Sequence, residues 1–335
     1  MRLLPINQLE PGDVTADTLH SGDGRVLLRQ GVALNADMIK AVARWGIPAL
    51  PVEWPGFEDI DTTPIVSPAL IDKIALWAKH PGPLDASRLH EGQALASSLR
   101  EEQLLVHARA FEMLSVYQAG SAYLTFYANL AGLVMRLADQ IAPEWSEAYG
   151  LSALLYGFHH PGLEDGKVRE LSAADLAALI LAVRQCRAPA PVVTALLHHQ
   201  CRYDGSGSPP LKGEEIYRGG MLLGLAESFL MLIFQTDQEP LPAHEALEWV
   251  MGGAGTDFSL EAVRKLGRIV APYAAGQVVT LGREVAVVKR VPADWPNRPV
   301  ILMLNGESKG QTVDLREADQ QTRVISGVYQ NRLWS

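Results

Sequence analysis

The hydrophobic pattern of this chain changes its period along the sequence, and this change constrains the fold more than any other feature. Between residues 120 and 272 apolar side chains recur every three or four positions, as in amphipathic helices, and prolines and glycines interrupt the pattern. Beyond residue 272 the period becomes two, as at Val285 and Val287, and turns such as Asn305-Gly306 separate the runs. The sequence therefore predicts a mostly α protein whose helical block is followed by a small β-rich module.

The first 58 residues indicate a second small β-rich module. Short apolar runs alternate there with turn signals, and one helical stretch spans residues 35–45. An acidic, proline-bearing stretch follows and leads into apolar positions spaced three and four apart, which favours a linker with connecting helices. The predicted order is a β-rich module at 1–58, a linker and connecting helices at 59–114, a helical domain at 115–272 and a β-rich module at 273–335.

Charge and composition exclude several classes of protein. The 335 residues carry 29 Lys and Arg against 38 Asp and Glu, a net charge of −9 that should repel a nucleic-acid backbone. The longest apolar stretch, residues 221–234, is shorter than the ~20 residues of a membrane span. The N-terminus has no signal-peptide pattern, and the two cysteines suit a reducing compartment. We therefore expect a cytoplasmic protein that binds no nucleic acid and has no membrane span, and its apolar helix faces fit a homodimer.

Two adjacent histidines, His198 and His199, close a helix that begins at a run of prolines. Adjacent helical side chains point about 100° apart, so these imidazoles cannot share one metal as an i, i+4 pair would. They could serve two centres, or one could be structural. In the loop that follows, Gly205 and Gly207 would let backbone amides approach an anion, although an ordinary loop has the same pattern.

Three further polar residues lie beside apolar runs. Glu227 interrupts an apolar helix, and a carboxylate buried there needs a cation, a metal or a shifted pKa, unless it lies at the helix surface. His159 and His160 precede Pro161 at a predicted helix end, where a basic group is favourable in any case. Each of these positions is a candidate for chemistry, and each also has a structural interpretation.

Taken in order, the segments 198–200 and 204–209 and the helix bearing Glu227 resemble the HD-GYP family. This family is a branch of the HD metal-dependent phosphohydrolases whose members hydrolyse the bacterial second messenger cyclic di-GMP. The resemblance is specific over about thirty residues and looser over residues 115–272. It implies an HD-type helical bundle in which two or three metal ions, held by His and carboxylate side chains, activate a water against a phosphodiester.

The resemblance assigns roles residue by residue. It implies metal ligands at His198, His199 and Glu227, and a proton-relaying role for Asp204 in an active enzyme. The expected phosphate-binding groups lie in and beside the loop: Gly205, Ser206, Gly207, Arg202 and Lys212.

Several positions depart from the family pattern. Tyr156 and Gly157 stand where the His-Asp pair that names the superfamily should be. Ser208 replaces the tyrosine of the GYP triplet, Met221 an arginine and Gln200 an acidic residue. These losses remove the bridging carboxylate, so too few ligands remain for a two-metal site.

Three functional hypotheses follow. The first is a degenerate HD-GYP-like signalling protein of bacterial type, without efficient phosphodiesterase activity, that binds a protein partner or cyclic di-GMP. The second is a metal-dependent phosphohydrolase with a rearranged site, in which His159 and His160 join His198, His199 and Glu227 around one or two ions of Fe, Mn or Zn. The third is a scaffold whose β-rich modules and tryptophans make the contacts.

Overall fold

A computed structural model describes the protein at residues 2–20, 26–45, 47, 49–54, 57, 60, 65–80, 82–112, 122–158, 160–161, 168–234 and 240–329. The chain divides into two compact units. The first comprises Met1–Pro64, Ala108–Ala122 and Val270–Ser335, and the second comprises Ile65–His107 and Tyr123–Ile269. The division into segments at 1–58, 59–114, 115–272 and 273–335 that was drawn from the sequence stays a prediction of domain boundaries.

The N-terminal part of the first unit is a small β-rich module with one helix. Strands β1 (Arg2–Pro5) and β4 (Ala49–Val52) pair antiparallel, as do β2 (Leu19–His20) and β3 (Val26–Leu28). Helix α1 (Ala36–Arg44) begins at Asn35, whose side chain accepts hydrogen bonds from two first-turn amides. The buried side chains of this module include Leu4, Val42 and Leu50.

The C-terminal part of the first unit is a five-stranded antiparallel sheet. Its strands are β5 (Val278–Leu281), β6 (Glu284–Arg290), β7 (Val300–Met303), β8 (Thr312–Asp314) and β9 (Gly327–Val328), in the order β8-β7-β6-β5-β9. Successive residues of β6 enter different clusters: Ala286 and Val288 join one, while Val285 and Val287 pack with Phe57 in the other. Both faces of the sheet are therefore covered.

The second unit is helical. Its helices are α2 (Pro68–Ala78), α3 (Ala86–Leu105), α4 (Ala122–Ile141), α5 (Ser146–Tyr156), α6 (Ala173–Gln185), α7 (Ala190–His198), α8 (Arg218–Phe234), α9 (Ala243–Gly252) and α10 (Leu260–Ile269). Side chains of Ser67, Asp85 and Ser172 cap the starts of α2, α3 and α6. The predicted mostly α fold with small β-rich modules toward both ends is confirmed. In the described part of the chain, every helix is too short or too polar to cross a lipid bilayer.

Two central helices are apolar around most of their circumference, as expected for helices in the middle of a core. All but two of the eleven residues of α5 are buried, and α8 buries Leu222, Leu223 and Phe229 together with Glu227. Glycines let α7 approach α8 closely. A Cβ added to Gly220 would lie 2.5 Å from the Cβ of His198, and one added to Gly224 would collide with the carbonyl oxygen of His199. This close packing fixes the end of α7 against the middle of α8.

Candidate functional site

Helices α5, α7 and α8 bring three polar side chains into one buried cluster. Tyr156 ends α5, His199 follows the last residue of α7, and Glu227 lies in the middle of α8, with exposed fractions of 1%, 4% and 5%. The Tyr156 hydroxyl donates a hydrogen bond to Oε1 of Glu227 and accepts one from the amide of Leu171 at 3.1 Å. The carboxyl group that the sequence leaves without an evident partner is thus bonded to a phenol.

The imidazole of His199 presents a lone pair next to this carboxyl group. Its Nδ1 lies 2.7 Å from the carbonyl oxygen of Leu196. Because a carbonyl oxygen can only accept, Nδ1 carries the proton and Nε2 is the acceptor nitrogen. That Nε2 lies 3.8 Å from Oε2 of Glu227 and has no hydrogen-bond partner among the residues that the structure describes.

Burial sets the ionisation of all three groups. It lowers the pKa of His199 to about 4, although the hydrogen bond to Leu196 acts in the opposite direction. It raises the pKa of Glu227 to about 8 against the lowering effect of the Tyr156 hydroxyl, and the charge of Glu170 raises that pKa further. Burial, and then the charge of Glu227, hold the pKa of Tyr156 well above its usual value. At pH 7 the cluster is therefore uncharged.

This ionisation predicts a pH-dependent stability. Between pH 6.5 and 8 an unfolded Glu227, with an ordinary pKa of 4.5, is already ionised, whereas the folded group, with a pKa of about 8, still holds its proton. Folding therefore binds a proton in this range, and stability falls as the pH rises. His199 acts in the opposite direction at the lower end of this range, because an unfolded imidazole with its ordinary pKa of 6.5 is still half protonated at pH 6.5, whereas the folded group, with a pKa of about 4, is neutral. The slope of about 1.4 kcal/mol per pH unit flattens as folded Glu227 begins to ionise near pH 8, and with the opposite effect of His199 we expect a net loss of about 1 kcal/mol.

Urea unfolding at pH 6.5 and pH 8 measures this loss, and the Glu227→Gln variant is the matched control. Glutamine keeps an acceptor for the Tyr156 hydroxyl but has no proton to release. The free energy of unfolding of the wild type relative to that of the variant should fall as the pH rises, so that the difference between them shrinks or reverses. An identical slope in both proteins would show that another group titrates.

The other candidate histidines lie in different surroundings. His160 is buried, and the centroid of its ring lies 5.9 Å from that of the Tyr156 ring. The centroid of the His199 ring lies 5.1 Å from that of the Tyr156 ring. His198 is half-buried, and its Nδ1 accepts a hydrogen bond of 3.0 Å from the amide of Tyr217. His159 lies outside the described residues. The structure thus gathers His160, His199 and Glu227 around Tyr156, and it places His198 against the backbone that leads into α8.

The surroundings of Tyr156 do not fit the two-metal centre that the family resemblance implies. A Cβ added to Gly157, where the family has its bridging carboxylate, would fall inside the phenol ring of Tyr127, which is fully buried. The Tyr156 hydroxyl already occupies one oxygen of Glu227. Across the described part of the chain, no three His, Cys, Asp or Glu side chains converge as metal ligands. Two tyrosines thus occupy space that ligands and ions would need.

The loop of residues 204–209 uses its own amides. Asp204 is exposed, and its Oδ1 accepts a hydrogen bond of 2.8 Å from the amide of Ser206. Hydrogen bonding to Ser206 holds the pKa of Asp204 below its usual value. The amides of Gly205 and Ser208 donate to the carbonyl oxygens of Arg202 and Gln200. An anion that approached these three amides would have to displace bonds already made.

The backbone conformation of this loop explains why both positions are glycine. Gly205 has a φ of +89°, a left-handed conformation that favours glycine. A Cβ added to Gly207 would collide with the backbone of Gln200 and Arg202. The conformation of the loop therefore accounts for the glycines of the Asp-Gly-x-Gly pattern, and the pattern does not by itself indicate a ligand.

A cavity of about 290 Å³ opens beside His199 and Glu227. Arg202 and Asp257, paired at 2.6 Å, line it together with Trp249, which is 54% exposed. Lys212, expected beside the phosphate, is exposed and is not among the described lining residues. Sequence reasoning missed the roles of Tyr127, Glu170, Leu171 and Asp257, and it considered Trp249 only among the tryptophans that a scaffold could use for contacts. No pattern in the sequence links these residues to the site, because they come from separate elements.

No protein-family model matches this chain, and no curated protein matches it. Among solved structures it is similar to Bd1817, a HDG"Y"P protein from Bdellovibrio bacteriovorus. The TM-score is 0.46 at 13% sequence identity, over 79% of this chain and 97% of that chain.

Proposed function

We propose that this protein is an HD-GYP-like signalling protein that does not hydrolyse cyclic di-GMP efficiently and acts by binding a partner. One observation carries the proposal: the ring of Tyr127 fills the space beside Gly157, where the family pattern requires a bridging carboxylate. A two-metal phosphodiesterase needs that carboxylate to hold both ions close to the attacking water. Without it, the remaining donors cannot offset the desolvation of two divalent cations.

The residues around the cavity favour a protein partner over a cyclic dinucleotide. The amides of Gly205, Ser206 and Ser208 already donate to acceptors of the protein itself, and Arg202 is paired with Asp257. Met221 stands at the family's arginine position. Among the described lining residues, Glu170, Glu227 and Asp257 provide carboxyl groups, whereas Arg202 provides the guanidinium. A ligand carrying two phosphates would meet more acidic than basic side chains.

A metal-dependent phosphohydrolase is the second candidate, because His160 and His199 both contact the Tyr156 ring next to Glu227. If Tyr156 moved away, the two imidazoles and the carboxylate could hold one ion of the Fe, Mn or Zn type. This alternative requires the buried phenol to leave its hydrogen bonds to Glu227 and Leu171.

Incubation of the full-length protein with cyclic di-GMP and either Mn²⁺, Fe²⁺ or Zn²⁺ tests both candidates. We expect product formation no faster than in buffer with the same metal, and less than about 0.1 metal equivalent per chain by mass spectrometry after dialysis. A stoichiometric metal together with turnover that His199→Ala abolishes would establish the phosphohydrolase instead. His107→Ala is the matched control, since His107 lies on an exposed part of the chain.

A further inference from the structure

Helix α6 (Ala173–Gln185) is apolar around most of its circumference, yet the rest of the chain buries only one side of it. Ten of its thirteen residues are apolar, and the only charged residues are Asp175 and Arg184. The buried residues are Leu176 and Val183 alone. A helix at the surface of a globular protein normally turns a polar face to water, whereas a helix that is apolar all round is normally buried. The uncovered side of α6 is therefore a candidate contact surface.

The uncovered face of α6 lies opposite its two buried residues. At about 100° per residue, Leu176 and Val183 point in nearly the same direction, and the side chains of Ala174, Ala178 and Leu181 point within about 30° of the opposite direction. Leu181 is 58% exposed, and both alanines are exposed. A large side chain thus stands beside small ones, which is the relief that a second helix can pack against.

Helix α10, of the same helical unit, shows the ordinary arrangement. It buries Val263 and Leu266 and exposes Glu261, Arg264 and Arg268. The surface of this unit can therefore be polar where a helix meets only water. Contiguous apolar surface in place of such charges is typical of a contact with another protein chain.

The charges of α6 favour a second copy of this chain as the covering surface. Asp175 lies in the first turn and Arg184 in the last turn, at equal distances from the middle of the helix, and both are exposed. An antiparallel pair of α6 helices therefore places the acidic first turn of each copy near the basic last turn of the other, and it also opposes the helix dipoles. A parallel pair would instead bring like charges together.

The same symmetry matches the apolar side chains by size. Ala178 and Leu181 also lie at equal distances from the middle of α6. In an antiparallel pair, Ala178 of each copy therefore lies opposite Leu181 of the other, so that a small side chain meets a large one at both places. A surface that is complementary to itself in both size and charge is what a symmetric dimer requires.

We infer that α6 is the contact surface of a homodimer, in which the α6 helices of two copies pack antiparallel about a two-fold axis at the middle of the helix. One pair of helices of this length buries a small area, so we expect a weak dimer with a dissociation constant of about 10 to 100 µM. No described residue that lines the cavity beside Glu227 comes from α6. The dimer is therefore independent of what that cavity binds.

Sedimentation equilibrium of the full-length protein at about 5 to 200 µM tests for this dimer. We expect a reversible monomer–dimer equilibrium. Leu181→Asp and Ala178→Glu should each weaken association at least tenfold, because each places a carboxylate against an apolar side chain of the other copy. Leu76→Asp is the matched control, since Leu76 is a 76% exposed leucine inside helix α2 of the same unit and should leave association unchanged.

Charge reversal tests the antiparallel arrangement. Arg184→Glu should weaken association about threefold to tenfold at low salt, because the new carboxylate would lie near Asp175 of the other copy. Adding Asp175→Lys to this variant should restore the affinity, since the charges are then exchanged and not removed. In a parallel pair, Arg184→Glu would replace one contact between like charges with another and leave the affinity unchanged.

Each outcome decides for or against the α6 dimer. A protein that stays monomeric at the highest concentration would overturn it, and so would a dimer that tolerates both Leu181→Asp and Ala178→Glu. Equal weakening by Leu76→Asp, or an unchanged affinity in Arg184→Glu, would also contradict the antiparallel contact through α6. Circular dichroism confirms that the variants are folded, as expected for exposed positions. A monomeric protein that hydrolyses nothing and holds no metal would leave the proposed function standing.

Discussion

Replacing Gly157 with alanine is expected to lower the free energy of unfolding by about 3 kcal/mol or more. The new methyl group would fall inside the ring of Tyr127, which has no exposed surface and therefore no free space to enter. Adding atoms to a well-packed core costs about 1 to 3 kcal/mol where neighbours can adjust, and more where a rigid ring must leave its place. Urea unfolding followed by circular dichroism measures the loss.

A double-mutant cycle shows whether the collision with Tyr127 causes that loss. Tyr127→Ala alone should cost about 3 to 5 kcal/mol, as large-to-small changes in cores do. The double variant Gly157→Ala, Tyr127→Ala should be no less stable than Tyr127→Ala, since the methyl group then enters vacated space. Gly252→Ala, where the methyl group meets nothing within 4 Å, should change stability by less than about 0.5 kcal/mol. Additive losses in the cycle would contradict the proposed filling of the site by Tyr127.

The Gly224→Ala variant is expected to lose about 2 to 3 kcal/mol of stability and to displace His199. Its methyl group would collide with the carbonyl oxygen of His199, a backbone atom that can yield only if α7 moves away from α8. Such a shift would pull Nε2 of His199 away from Glu227. Urea unfolding gives the stability, and the imidazole signals in NMR spectra report the displacement.

Gly267→Ala is the matched control for this helix glycine. It lies inside α10, and its methyl group would meet only the end of Met251, at 3.8 Å. Because alanine favours a helix over glycine by about 1 kcal/mol, this variant should be slightly more stable than the wild type. A loss of stability in Gly224→Ala together with a gain in Gly267→Ala would confirm that contact with α7, and not helix propensity, determines the effect of substituting Gly224. A Gly224→Ala protein as stable as Gly267→Ala would show that α7 yields freely.

The sequence predicts the architecture well because the hydrophobic period is a local property. The three- and four-residue spacing between residues 120 and 272 corresponds to helices α4 to α10, and the helical stretch at 35–45 corresponds to α1. What the period cannot show is which segments share a core. Phe57 packs with Val285 and Val287, and no local pattern links residues so far apart in the sequence.

The candidate site was only partly predictable for the same reason. A carboxylate in the apolar helix α8 indicates that Glu227 needs a partner, but the partner is Tyr156, 71 residues away. The tyrosine was recognised in the sequence as a departure from the family pattern, and its hydrogen bond to Glu227 follows only from the packing of α5 against α8. Likewise, the internal bonds of the amides in the loop at 204–209 depend on φ and ψ angles that residue types alone do not fix.

The shared cluster of Phe57, Val285 and Val287 has a consequence for the order of events on the ribosome. Phe57 leaves the exit tunnel early, whereas the strands that cover it are translated after the whole helical unit. Since protein segments fold as they emerge and translation adds about 5 to 20 residues per second, this aromatic side chain stays uncovered for many seconds. During that interval the nascent N-terminal segment exposes apolar surface, which makes a folding intermediate prone to aggregation.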